Sequence, residues 1–351
     1  MSRYRRASLG PGFGYSPGEQ PQTEGWLKLN TNESPLPPST RVADAVRDAA
    51  ADLRLYPSPT GEPLRSALAR HHGVDAEQIF VANGGDQVLD CCYRAFAEPG
   101  SAVVHAVPSY SLFPVLSQLF GVRDVGVRLE DDGSLPPSFA TEPAPLRFVV
   151  NPNSPTGSWI APANLELQLE GAGGVVVIDE AYCDFAPESC IPLLQRHDGW
   201  IVLRTFSKGY ALAGLRVGYA VAAGDVVRDL LAVKDSYPVD RCAIAGALAA
   251  LEDDAHYRLI VNTVITQRTR LTESLRAMGW EVAPSRANFI LASPPQPQSA
   301  AAIAAALREE RIVVRHFTQR DIANRLRISV GDASATERLL AAIQRQAVTA
   351  G

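Results

Sequence analysis

Five polar residues close two short apolar runs. GVVVIDEAY (174–182) contains Asp179 and Tyr182, and IVLRTFSKGYALAGLR (201–216) carries Ser207, Lys208 and Arg216. A lysine amine condenses with an aldehyde once burial or neighbouring charge lowers its pKa. A carboxylate beside a ring nitrogen keeps that nitrogen protonated. A hydroxyl and a guanidinium together hold a phosphate through charge-assisted bonds. A lone lysine after a strand is ordinarily a solvated surface residue. One flanked by Ser207 and Gly209, with Asp179-x-x-Tyr182 ending the run before it, needs another reading.

Pyridoxal phosphate would engage all five groups. Its aldehyde would accept Lys208, its ring nitrogen would face Asp179, and its phenolic oxygen would be within reach of Tyr182. Ser207 and Arg216 would hold its phosphate. A protonated ring nitrogen is what makes this cofactor an electron sink. The two runs are of strand length, rich in Val and Ile, and end abruptly, as buried strands of a parallel sheet do. Ligands of open α/β sheets sit outside the carboxyl ends of such strands.

IDEAY followed by RTFSKGYALAGLRVGY resembles the fold-type I pyridoxal-phosphate aminotransferases, and among them is most similar to the histidinol-phosphate aminotransferases. The likeness runs from Gly14 to the last helix. It implies an α/β fold: a large domain with a mostly parallel, seven-stranded, aspartate aminotransferase-like sheet, plus a small α+β domain. The expected borders are 1–40 for an arm and small-domain segment, 41–245 for the cofactor domain and 246–351 for the small domain. It further implies a homodimer with shared active sites and a lysine acting as general acid/base. A ping-pong exchange between an amino donor and a 2-oxo acid would follow, with histidinol phosphate and 2-oxoglutarate as the expected pair. An aromatic-amino-acid aminotransferase or a threonine-phosphate decarboxylase would use the same residues. Non-catalytic regulators of this fold carry an added DNA-binding domain, for which 351 residues leave no room.

The elements that must position these groups can be read in chain order. Residues 1–29 are rich in Gly, Pro and Arg, the composition of a flexible arm. In the resembled family a tyrosine of this arm, here Tyr15, crosses to the partner subunit and contacts substrate. Asn32 lies in the opening loop and is a second substrate-binding candidate. Ser39 and Thr40 offer an N-cap for a helix over 41–54, with Val42, Ala45, Val46 and Ala49 on one face. Tyr56 follows it. A tyrosine there is ordinarily packing, but the resemblance gives it the cofactor phosphate of the other subunit.

IFVANGGDQVLDCCYRAF (79–96) reads as strand, glycine pair and helix, so Gly84, Gly85 and Asp86 open a helix N-terminus suited to an anion. The family places the cofactor phosphate at Gly85 and Asp86. Tyr110 matches the aromatic that stacks on the cofactor ring. NPNSPTG (151–157) matches a family turn, except that Ser154 stands where an asparagine binds the phenolic oxygen. Asn153 and Ser154 are both candidates there. VGYAVA closes the large domain, and helical patterns over 225–277 bridge to the small one. Asn288, in the segment RANF, matches a family asparagine. IVVRHF carries Arg315 and LRISVG carries Arg327. In the resembled family these grip the substrate's anion, and a bidentate guanidinium suits carboxylate or phosphate.

Composition bounds the rest. With 46% hydrophobic and 20% charged residues, the chain is ordinary globular protein, and its length suits two domains. A net charge of −5 gives no basic footprint for nucleic acid. An anionic substrate must then be captured by local arginines. Five cysteines without a C-x-x-C spacing suggest neither disulfides nor a metal site, and fit a reducing cytoplasm. Cys183, beside Tyr182, reads as a small buried hydrophobe. The N-terminus lacks an apolar signal region, and no apolar run reaches the ~18 residues of a membrane span.

Overall fold

The computed structural model describes residues 2–10 and 12–349. The strands are β1 (Leu27–Leu29), β2 (Ile79–Ala82), β3 (Ala102–Val107), β4 (Arg123–Arg128), β5 (Leu146–Val150), β6 (Val175–Asp179), β7 (Trp200–Thr205), β8 (Gly218–Ala222), β9 (Glu281–Val282), β10 (Phe289–Ser293), β11 (Ile312–His316) and β12 (Leu326–Ser329). The helices are α1 (Thr40–Ala50), α2 (Leu64–His72), α3 (Gly84–Phe96), α4 (Leu112–Phe120), α5 (Pro137–Thr141), α6 (Pro162–Gln168), α7 (Gly224–Val233), α8 (Arg241–Leu251), α9 (Asp254–Ala277), α10 (Ala300–Glu309) and α11 (Ala333–Thr349).

Seven strands form the larger sheet, in the order β2-β8-β7-β6-β5-β3-β4. β8 runs antiparallel to both neighbours; the other pairings are parallel. The continuous apolar runs exist because both faces are covered. Alternate residues enter different cores: Val176, Ile178 and Val202 join one, while Val177, Ile201 and Leu203 join the other. The edge strand β4 has one neighbour and carries Arg123, Asp124 and Arg128, charges that discourage further pairing.

The smaller sheet has the order β1-β11-β12-β10-β9. β1 comes from the N-terminal segment and lies parallel to β11. The expected border at 245 falls inside α8, whose Ala243, Ile244, Ala247 and Ala250 belong to the large core. The helix expected over 41–54 ends at Ala50. Ser39 caps it, accepting from the Arg41 N–H at 3.2 Å. Leu53 and Leu55 beyond it are exposed. Without burial, propensity alone does not hold a last turn.

Candidate active site

A cavity of about 710 Å³ lies over the carboxyl ends of β3, β5, β6 and β7. Asp179 ends β6, and Lys208 follows β7 in a tight turn. Lys208 Nζ donates to the main-chain oxygen of Asn32 at 3.1 Å and lies 5.6 Å from the centre of the Tyr182 ring. Asp184 holds the turn behind the lysine. Its carboxylate accepts the Gly209 N–H (3.1 Å), an Arg204 N–H (2.7 Å) and the Tyr257 hydroxyl (3.2 Å). Position 209 must be glycine, because a Cβ there would meet Asp184 Oδ2 at 2.5 Å.

Asp179 is 5% exposed, and one of its oxygens accepts the Ala181 N–H at 2.9 Å. No cation among the described residues forms an ion pair with it. Burial therefore pushes its carboxyl up to about 7, against the pull of the Ala181 N–H and of Lys208. A buried carboxyl short of a cation fits a protonated ring nitrogen. The Tyr182 hydroxyl accepts from Asn32 Nδ2 at 3.0 Å, so its own proton is left for another acceptor.

The groups expected to hold a phosphate, Gly85, Asp86, Ser207 and Arg216, line the same cavity. Gly84 opens α3 at φ +78°, and a Cβ there would lie 2.6 Å from the Arg216 guanidinium. Asn83 makes no side-chain cap, which leaves first-turn amides to an anion. Arg216 NH2 rests on Asp86 Oδ2 at 3.2 Å, and the Tyr110 hydroxyl donates to Asp86 Oδ1 at 2.9 Å. The Asp86 carboxylate thus orients Tyr110 and Arg216, and only its main-chain N–H suits a phosphate. The ion pair is half exposed and worth little, so an anion could take Arg216 over. Ser207 Oγ lies 3.0 Å from Thr205 Oγ1.

Across the cavity stand Arg327 and Arg315. Arg327 donates to Ser154 Oγ (3.1 Å) and to the Asn30 carbonyl (2.9 Å), and its Nε has no partner. Ser154 therefore faces the cavity, but its oxygen already serves Arg327. Asn153 does not line the cavity: its amide is used by Ser109, the Pro108 carbonyl and Thr156, and braces the turn. Tyr15 lies at the cavity of its own chain, edge-on to Tyr110 with centroids 5.9 Å apart. Tyr56 is 78% exposed and stacks on Tyr237, away from its own cavity.

Asn32, expected to contact substrate, lines the cavity and also braces it. It sits at φ +55°, a region asparagine tolerates. Its N–H donates to Ser329 Oγ (2.8 Å), its Oδ1 accepts from the same hydroxyl (3.1 Å), and its carbonyl accepts from Asn288 as well as Lys208. It joins the small sheet to Tyr182 and Lys208. Sequence reasoning did not identify Asp184, Ser329 or Phe317 as parts of this site, and it gave Asn288 no role. Only Asn288 had a signal, its place in the segment RANF.

The family model "Aminotransferase class I and II" matches residues 24–343. Histidinol-phosphate aminotransferase 2 of Thiobacillus denitrificans is 44% identical over 349 residues, 98% of each chain. Histidinol-phosphate aminotransferase 1 of Bradyrhizobium diazoefficiens is 43% identical over 93% of this chain and 94% of its own. Among solved structures, the histidinol-phosphate aminotransferase from Sinorhizobium meliloti in complex with pyridoxal-5'-phosphate superposes with a TM-score of 0.86. It is 28% identical, with 93% of this chain and 91% of that one covered.

Proposed function

We propose, since the chain belongs to the class I and II aminotransferases, that it transfers the amino group of histidinol phosphate to 2-oxoglutarate. The products would be imidazole-acetol phosphate and glutamate, and the cofactor pyridoxal phosphate. One observation carries the reading: a single cavity joins Lys208 and Asp179 to a pair of arginines, Arg315 and Arg327. Histidinol phosphate carries its amine on the carbon next to the phosphate-bearing one, with an imidazole beyond it, and has no carboxylate. The names of the relatives support the same donor.

When bound, the cofactor supplies an aldehyde that captures amines and a ring that accepts the electrons released at the substrate carbon. Asp179 would hold the proton on the ring nitrogen. Its carboxyl is costly to ionise alone, and a cation beside it removes that cost. Tyr182 would donate to the phenolic oxygen. Gly85 and Asp86 would offer main-chain N–H groups, and Ser207 and Arg216 side chains, to the cofactor phosphate. Tyr110 would lie against the ring. Lys208 Nζ would accept the proton of the substrate's amine-bearing carbon and hold it as the general acid/base. Asp184 keeps the lysine turn in place. Arg327 and Arg315 would grip the substrate phosphate, with Tyr15 closing over it.

We place the active sites in a homodimer, with Tyr56 reaching the partner's cofactor phosphate. Its exposure, shared by Leu53 and Leu55, supports that reading. The five free cysteines support a cytoplasmic location. No helix among the described residues is long and apolar enough to cross a membrane.

A panel of amino donors, each with 2-oxoglutarate and followed by glutamate release, tests the function. Histidinol phosphate should exceed phenylalanine and tyrosine by a wide margin. The reverse ranking would make Arg327 a carboxylate binder and the enzyme an aromatic aminotransferase. CO₂ release from threonine phosphate would replace both readings.

A further inference from the structure

Arg315 and Arg327 are direct cross-strand partners in β11 and β12. Like charges in that position repel. Neither is paired with a carboxylate among the described residues: Arg315 reaches only the Ser16 carbonyl, at 3.5 Å, and Arg327 meets Ser154 and the Asn30 carbonyl. An aromatic ring stands with them. The centre of Phe317 lies 5.6 Å from Arg315 Cζ and 5.5 Å from Arg327 Cζ. Arg327 meets a second ring, Phe289, at 5.4 Å. Phe289 is in turn edge-on to Tyr182, with centroids 5.1 Å apart.

The ring faces attract both cations. They also fix the plane of a guanidinium while leaving its in-plane N–H groups free. Arg327 has such a group in its unpartnered Nε. Arg315 has no strong tether other than the ring. A carboxylate would neutralise one of two cations held this close; a phosphate dianion neutralises both.

We infer that Phe317 is a specificity-determining residue that seats Arg315 and Arg327 on one ring, so that they close together on a phosphate dianion of the substrate. The inference rests on the amino donor being a phosphate ester. Phe317 would act through the arginines, as a positioning residue. It is partly exposed, beyond the end of β11, and belongs to none of the buried hydrophobic clusters.

The test uses the cofactor-loaded enzyme with Phe317→Leu and Phe317→Tyr. Two readouts are compared: turnover of histidinol phosphate and of histidinol, and calorimetric titration with inorganic phosphate, which needs no turnover. In Phe317→Leu, KM for histidinol phosphate and Kd for phosphate should each rise roughly tenfold, the scale of lost cation–ring contacts. Turnover number and the KM for histidinol should stay within about twofold in that variant. Phe317→Tyr keeps the ring face and should match the wild type. The inference is overturned if Phe317→Leu leaves phosphate affinity unchanged, if Phe317→Tyr fails as badly, or if histidinol and its phosphate suffer equally. A wild type that prefers tyrosine to histidinol phosphate, yet loses phosphate affinity in Phe317→Leu, would sink the substrate assignment and leave the role of the ring standing.

Discussion

The two walls of the cavity are built on opposite principles. The large-domain wall takes its groups from the ends of buried strands and from the turns that follow them. Asp179 is fixed by β6, and the Lys208 turn by β7 and Asp184. The small-domain wall takes its groups from strand faces and an arm, and sets them against aromatic rings: Arg315 and Arg327 on Phe317, Tyr15 on Tyr110. The first wall suits chemistry that tolerates no displacement. The second suits recognition, where a changed ring or cation alters which molecule is held. Substitutions on the first wall should therefore lower turnover, and those on the second should raise KM.

The largest break in that comparison is at Lys208. Lys208→Ala should cost on the order of 10⁴-fold in turnover, the upper range for a positioned general acid/base. Borohydride reduction of the loaded wild type, followed by peptide mapping, should find the label on Lys208. Label on Lys28 or Lys234, the other two lysines, would overturn the assignment. Asp179→Ala should cost ~100-fold in turnover, roughly 3 kcal/mol, while the cofactor stays bound.

Asp179 also predicts a pH effect in the cofactor-free protein. Its folded pKa of about 7 lies above the ordinary aspartate value of 3.8. The folded state then binds more protons between those values, so stability falls as pH rises through that window. The loss should approach about 4 kcal/mol at neutral pH. Melting of the cofactor-free wild type should drop between pH 4 and 7, and Asp179→Asn should flatten the slope. An unchanged slope would mean that Asp179 is not the buried acid described.

The same contrast governs what the sequence reveals. Asp179, Tyr182, Ser207, Lys208 and Arg216 fall within one stretch of 38 residues counted from Asp179 to Arg216. Continuous apolar runs with abrupt polar ends mark them, because a buried strand must be apolar up to the point where it meets ligand. The small-domain wall is assembled from distant segments. That Arg315 faces Arg327 follows from register, and no local pattern prints register. Asn32 was placed in its loop, but its role at the junction depends on Ser329, almost 300 residues away (297). Tyr56 and Tyr15 look alike as isolated tyrosines. One proves to be exposed and stacked on Tyr237, the other to line its own cavity.

On the second wall the largest effect should come from Arg327. Arg327→Ala removes charge-assisted bonds of roughly 1.5–3 kcal/mol each, so kcat/KM for histidinol phosphate should fall at least ~10-fold. Histidinol should be a poor substrate of the wild type and little affected by the change. Equal losses for both would mean that Arg327 supports the fold of the site and not the phosphate.

The smallest effect, and the sharpest on geometry, concerns Tyr15. Its edge contact with Tyr110 is of a kind worth about 0.5–1.5 kcal/mol, so Tyr15→Ala should raise KM only about 2- to 10-fold. The arm could serve its own chain, as its position at the cavity indicates, or cross to a partner. Hybrid dimers separate the two. Pair a Lys208→Ala subunit with a Tyr15→Ala subunit: only the second can turn over, because only it has the lysine. If the arm serves its own chain, that site still lacks Tyr15, and the hybrid keeps the raised KM. A crossing arm would instead bring an intact Tyr15 from the lysine-less subunit, and KM would return to the wild-type value. The same pairing with Tyr56→Phe should give the opposite result, with activity restored through the partner's Tyr56. Recovery with Tyr15, or none with Tyr56 once subunit exchange is demonstrated, would reverse the assignment of those two tyrosines.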